Sequence, residues 1–409
     1  MPLVPLNEAR DHVLASCQVV EPVTVALAGA LDRAAAEAVT ADACVPPFDN
    51  SAMDGFAVRS ADTVGAPVTL EVVGTLAAGQ APGVEVGPGQ AVRIMTGAPV
   101  PAGADAVVMV ERTVVSDEGR RVEVDGEVAG GTALRRAGDD LRPGDRVLAA
   151  GDVLTPGRLG VLASLGVAEL AVFPRARVGV LSTGDELVEP PAPLRPGQIR
   201  DSNRPTLLAL VAAAGCEAVD LGLVADDEAA LTEAFHHGVA TCDAVVTSGG
   251  VSMGDFDLVK VVLDRLGDMR WMQVAIKPAK PLAFGTVGRT PVFGLPGNPV
   301  SSMVSFELFA RPALRRMMGF PAAVADRPAV PAVAGEALRR RPDGKTHFVR
   351  VIASMGDDGR YRVRSAGGQG SHQLRAMAAA NALAVLADGE GAQVGDVVDA
   401  MLLGGGAVG

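Results

Sequence analysis

The spacing of apolar positions divides the chain into stretches of different kinds. Residues 1–40 read as helical. Asn7 or Asp11 is placed to cap a segment through Val20, and 26–40 is Ala-rich with Leu27, Leu31, Ala34 and Ala38 at helical spacing. From Cys44 the apolar runs shorten. Residues 68–73, 91–94, 106–110 and 121–124 are Val-rich and separated by Gly/Pro turns, which predicts a β-rich domain. Residues 154–165 return to a helical period, with Thr155 as cap and Pro156 in the first turn. Packing of that helix on the first forty residues makes the β-rich stretch an insertion.

A different alternation begins near residue 175. Residues 177–181 form an apolar strand ending in Ser182-Thr183-Gly184. A helix at 205–214, a strand at 217–224 and a helix at 228–236 follow. The strand 243–247 ends in Ser248-Gly249-Gly250, and a helix spans 256–266. The strand 291–295 ends in Pro296-Gly297-Asn298-Pro299, with a helix from Ser301 onward. Strands alternating with helices predict βαβ units and a parallel sheet. The last ninety or so residues return to short strands (347–353, 360–364) with Gly-rich turns, as in a small β-barrel or sandwich.

Composition bounds the function. At about 150 residues per domain, 409 residues make roughly two to four domains. The net charge is −12, with 11 Phe, one Tyr and one Trp. So acidic and aromatic-poor a chain lacks the field and the stacking platforms of a nucleic-acid binder. The average hides a basic region: Arg327 to Arg375 holds ten Lys/Arg against four Asp/Glu, a balance suited to small anions. No apolar run reaches membrane-span length. The four cysteines form no CxxC pair, the five histidines show no zinc spacing, and the opening residues lack a basic-then-apolar leader. A cytoplasmic setting with reduced thiols is expected.

Candidate chemistry gathers at the strand ends. In an open parallel sheet the ligand lies beyond the carboxyl ends of the strands. Three strands end in small, amide-rich turns whose N–H groups suit an anion. Acids follow: Asp185 and Glu186, then Asp226 and Asp227, then Asp255 and Asp257. Carboxylates at an anion site call for a cation between, and Mg²⁺ fits. Lys277-Pro278-Ala279-Lys280-Pro281 fixes two ammonium groups on a stiff loop. Gly344-Lys345-Thr346 is not a P-loop, because Arg339 stands where its first Gly belongs. Gly250-Val251-Ser252-Met253-Gly254 matches GxSxG, but no strand runs directly into Ser252 as a nucleophile elbow demands.

Six ordered motifs carry a resemblance. They are Asn50-Ser51-Ala52-Met53-Asp54-Gly55, Arg93-Ile94-Met95-Thr96-Gly97, Ser182-Thr183-Gly184-Asp185-Glu186-Leu187, Ser248 through Gly254, Lys277 through Pro281, and Leu295 through Ser301. In this order the chain resembles the molybdopterin molybdenumtransferases, which are similar to the C-terminal domain of gephyrin. The resemblance implies an α/β and β multidomain fold. Its parts are a helical segment (1–44 plus 142–174), an inserted β-rich domain (45–141), a central three-layer α/β domain with a parallel-type sheet (175–318) and a C-terminal β-barrel (319–409). It implies Mg²⁺-dependent insertion of molybdate into adenylylated molybdopterin with release of AMP, in a homodimer whose subunits share each active site. It also implies handover from a molybdopterin adenylyltransferase. An adenylyltransferase-like enzyme and a non-catalytic scaffold are the competing readings. Carried over by position, the functional acids fall on Asp54, Glu186, Asp226 or Asp227, and Asp257, with Thr96 beside them and Glu186 and Asp257 as metal ligands. Oxyanion contacts fall on Lys277, Lys280, Ser301, Lys345 and Ser371, with the turns Ser182/Thr183/Gly184, Ser248/Gly249/Gly250 and Pro296/Gly297/Asn298/Pro299 cradling substrate. Three features depart from the pattern: Lys345 where Arg is frequent, Ala279 where Gly is usual, and a loop Gly254-Asp255-Phe256-Asp257 with two acids, so that Asp255 stands as the alternative ligand to Asp257.

Overall fold

The computed structural model describes residues 2–250 and 258–404. A six-stranded sheet organises the middle of the chain, in the order Glu217–Val224, Arg177–Thr183, Ala244–Ser248, Thr290–Leu295, Pro281–Val287, Asp268–Gln273. The first four strands are parallel. The last two join through antiparallel pairings, so the sheet is mixed rather than wholly parallel. Neither of those two strands is among the elements expected from the sequence. Pro281 opens one, where its missing N–H is tolerated. Asp268 and Arg270 interrupt the other, which lies at the sheet edge.

Helices cover both faces, which is why the inner strands read as near-continuous apolar runs. Val178, Val180 and Val246 pack with Leu207 and Val211 on one face. Leu181 and Val245 pack with Leu231, Phe235 and Val262 on the other. Each such side chain, fully buried, contributes about 1.5–3 kcal/mol. The chain leaves the Arg177–Thr183 strand for a neighbour on one side and returns on the other. That reversal opens a crevice at the carboxyl ends of Arg177–Thr183 and Ala244–Ser248.

The N-terminal expectation needs correction. The first helix is Leu6–Ser16, with Pro5 before it, so Asn7 and Asp11 lie inside it and it stops short of Val20. Residues 26–40 are not a helix. Val23–Ala26 pairs antiparallel with Glu169–Val172, Leu27–Gly29 makes a single 3₁₀ turn, and Val39–Thr40 pairs with Arg146–Leu148. The β-branched run Val23-Thr24-Val25 favours the strand. The alanines serve close packing instead of helix propensity: Ala30 and Ala35 are buried against Leu148, Leu154 and Val172. The helix Pro156–Ser164 has Thr155 capping the Arg158 N–H, as its sequence indicates.

Between these halves lies a six-stranded sheet that includes Gly55–Val58, Gln90–Ile94 and Ala106–Met109, closed at its base by a Val45–Leu141 bridge. At the C-terminus five strands form a ring: Thr346–Met355, Tyr361–Ser365, Ala329–Ala334, Val397–Leu402 and Ala382–Leu386, the last pairing back to the first. This is a closed barrel filled by Val351, Ala353, Val363, Ala384 and Ala400. Among the described residues no helix is long and apolar enough to cross a membrane.

Candidate active site

The three strand-end turns lie side by side. Ser182 is in register with Ser248, and Ser248 with Leu295. Two residues at the start of the Asn203–Ala213 helix tie them together. Asp201 accepts from Ser182 Oγ at 3.2 Å and from the N–H groups of Asn203 and Arg204. Asn203 Nδ2 donates to Ser248 Oγ and to the Gly297 carbonyl, both at 2.7 Å. Both residues escape the motif reading, although Asp201-Ser202-Asn203 carries a recognisable helix-cap signature. Gly249 has φ +97°, and a Cβ there would sit 2.9 Å from the Thr183 carbonyl oxygen, so the position demands glycine. Asn298 precedes the Pro299–Ser305 helix without spending its side chain on a cap.

Acids stand beside these turns. The Asp226 N–H donates to Asp185 Oδ1 at 3.2 Å. Burial first, and then the Asp185 and Glu186 carboxylates, push the Asp226 carboxyl above its ordinary value. The Glu186 carboxylate folds back over Gly184, where a Cβ would lie 2.6 Å from Oε2. Asp227 accepts from the Ala230 N–H at 2.8 Å and caps the Glu228–Thr241 helix. Asp226, not Asp227, therefore faces the other acids. Ser252, Asp255 and Asp257 lie outside the described residues. Among the described residues no three His, Cys, Asp or Glu side chains are gathered as a metal cage. The donor set still suits Mg²⁺, which takes one or two carboxylates and fills its shell with phosphate oxygens and water.

Two lysines follow the edge strand Asp268–Gln273. Lys277 and Lys280 are exposed, and among the described residues neither has an acidic partner. Between them Ala279 is buried at φ +75°. An alanine holds that left-handed conformation only at a cost of about 1–2 kcal/mol. Ala279→Gly should raise stability by about 1 kcal/mol, after the larger chain entropy of glycine is subtracted. A higher denaturant midpoint is the check, and an unchanged or lower one the contrary result.

Ile276–Lys277 adds a parallel strand to the barrel beside Thr346–His347. A cavity of about 560 Å³ there is lined by Lys277, Arg340, Asp343, His347 and Arg350 among others. Arg350 is fully buried and donates through Nη2 to the Gly368 and Gly370 carbonyls, holding the loop that leads into Ser371. The Ser371 carbonyl accepts from the Val300 N–H, which brings that loop against Ser301. Lys345 does not stand free: its Nζ lies 3.1 Å from Asp343 Oδ2. Desolvation raises the Asp343 carboxyl, but hydrogen bonds from Lys345 and His347 outweigh it and bring the group down to about 2. A value depressed on folding adds stability above the ordinary value of 3.8, and that stability is lost as the pH falls toward 2. Acid unfolding followed from pH 5 to pH 2 should be shallower in Asp343→Asn, and identical profiles would remove this contribution.

In the inserted domain the Gly55–Ile94 register brings Asp54 beside Thr96. Asp54 Oδ1 accepts from the Thr96 N–H and Oγ1, both at 2.7 Å. These bonds, backbone first, hold the carboxyl below its ordinary range. Among the described residues no hydrogen bond or ion pair joins this pair to the strand-end turns.

Residues 4–166 match the MoeA N-terminal region (domain I and II), 179–316 a probable molybdopterin binding domain, and 332–403 the MoeA C-terminal region (domain IV). The chain is 42% identical to a molybdopterin molybdenumtransferase of Haemophilus influenzae over 87% of each chain. It is 43% identical to molybdopterin molybdenumtransferase 2 of Mycobacterium tuberculosis, covering 92% of this chain and 94% of that one. The crystal structure of a molybdopterin biosynthesis MoeA protein from Pyrococcus horikosii superposes with a TM-score of 0.82 at 30% identity, covering 99% of this chain and 100% of that one.

Proposed function

The chain belongs to the molybdopterin molybdenumtransferase family, a transferase of molybdenum cofactor biosynthesis, and on that premise we propose a Mg²⁺-dependent reaction of adenylylated molybdopterin with molybdate that releases AMP. One observation carries the reading: three amide-rich strand ends, joined by Asp201 and Asn203, with Glu186 and Asp226 beside them.

The turns at Ser182–Gly184, Ser248–Gly250 and Pro296–Pro299 bind the phosphates and orient the anhydride. Glu186, with Asp257 and Asp226, would hold Mg²⁺, and the ion would supply charge neutralisation for the pyrophosphate. Lys277 and Lys280 steady the charge that develops on the leaving phosphate. Ser301, Ser371 and Lys345 contact the oxyanion, with Arg350 fixing the loop of Ser371. Lys345 gives a point-charge contact instead of a bidentate one.

Asp54 and Thr96 bond to each other and lie in a separate domain, which supports their serving a second subunit's site in a homodimer. The purified chain, given adenylylated molybdopterin, Mg²⁺ and molybdate, should release AMP only when molybdate is present. ATP consumption in its place would assign the adenylyltransferase reaction, and neither result would leave a scaffold.

A further inference from the structure

Among the described residues Asp343 is the one carboxylate on the lining of the barrel cavity, and it is shared three ways. Arg340 Nη2 lies 2.8 Å from Oδ1, Lys345 Nζ 3.1 Å from Oδ2, and His347 Nε2 3.1 and 3.2 Å from the two oxygens. An ionised carboxylate only accepts, so Nε2 carries the proton. Arg340 is immobile: its side chain is buried, Nη1 donates to the carbonyls of Lys345, Leu386 and Ala387, and Nη2 reaches Asp388. Lys345, at the end of a flexible stem, is the member free to leave. The charged groups acting most directly on His347 are Asp343 and Arg340 from its own side and Lys277 from the adjoining strand, and Arg339, Arg341 and Arg350 line the same cavity. Its partner across the sheet, Leu386, carries no charge.

We propose that Asp343 is a positioning residue for Lys345, and that a proton on His347 loosens its hold and releases the Lys345 ammonium to the oxyanion. This rests on the reading of Lys345 as an oxyanion contact. While His347 is neutral, Asp343 divides its charge between Arg340 and Lys345. A charged His347 competes for the same two oxygens and adds one positive charge to the cavity. Burial, first, keeps His347 below its ordinary value and Asp343 pulls the other way, so the switch lies below pH 6.5.

Sulfate is the suitable probe, because it keeps two negative charges between pH 8 and pH 5. Calorimetric titration of the full chain should show sulfate binding tighten roughly tenfold over that fall, the size of one pK unit of coupling between neighbouring charges. His347→Gln should bind with a flat profile. Asp343→Asn should bind more tightly than the parent at pH 8, and Asp343→Glu should restore the parent profile. Thermal melting of each variant confirms that it is folded at the pH used. If Lys345→Met binds sulfate as the parent does, the oxyanion reading of Lys345 fails and the proposal with it. If Lys345→Met weakens binding while folded His347→Gln keeps the full pH dependence, the coupling alone is overturned.

Discussion

Glu186→Gln is expected to lower molybdate-dependent AMP release by a factor of about 10²–10³, the usual size of loss when charge stabilisation at the reacting group is weakened, because Glu186 would hold the cation that supplies it. The exchange keeps shape and removes one charge. Glu186 lies over Gly184 at the end of a central strand, supported from behind by the three-layer core, so the fold has no need of its charge. A second readout separates this effect from disorder. The Asp226 carboxyl is raised by burial and by the charges of Asp185 and Glu186. In Glu186→Gln it should fall back toward the ordinary range, visible by carboxyl-carbon NMR. Parent-like turnover together with an unmoved Asp226 would take Glu186 out of the site.

Asp201→Ala should destabilise the chain by about 4 kcal/mol, about 1 from the lost helix cap and about 3 from the broken buried pair. The Asp201 side chain is 2% exposed and Arg204's is 11%, so water is poorly placed to substitute. Arg204 keeps its bonds to Asp220 and its ion pair with Glu189, which limits the loss to the low end for a buried pair. Ser182 Oγ would lose its acceptor as well. Asp201→Asn should recover the capping share, about 1 kcal/mol, because Asn caps as well as Asp. Urea unfolding of the three proteins checks both figures, and an Asn variant no better than Ala would assign the whole effect to charge.

Much of the site is legible in the chain because its turns are local. A strand that must release its ligand at its carboxyl end stops in Ser, Thr and Gly, and that change from β-branched to small residues is visible at 182–184 and 248–250. The Lys277–Pro281 loop is legible for the same reason. Asp201 and Asn203 are not, because their value comes from reaching two other strands at once, at Ser248 and Gly297. Asp343 is hidden likewise: an acid in a basic run looks like solvated surface until Arg340, Lys345 and His347 converge on it. The misread stretch at 26–40 shows the opposite failure. Alanine is the best helix former and also the smallest apolar side chain, and only the buried neighbours of Ala30 and Ala35 reveal which property is in use. In the paired acids Asp226 and Asp227 two equal candidates become unequal once one of them caps a helix.

The pairing of Val23–Ala26 with Glu169–Val172 has a consequence for the order of events during synthesis. The first strand leaves the ribosome long before its partner. At about 5–20 residues per second the wait is on the order of ten seconds, far longer than a hairpin needs to form. The intervening domain shortens the search. Once its own sheet has formed, the Val45–Leu141 bridge draws its two ends together, and a loop of well over a hundred residues becomes a short one for the purpose of chain entropy. The insertion thus acts as a built-in tether. A nascent chain released before residue 169 would hold a folded middle and an orphan strand, the state in which a chaperone would meet it.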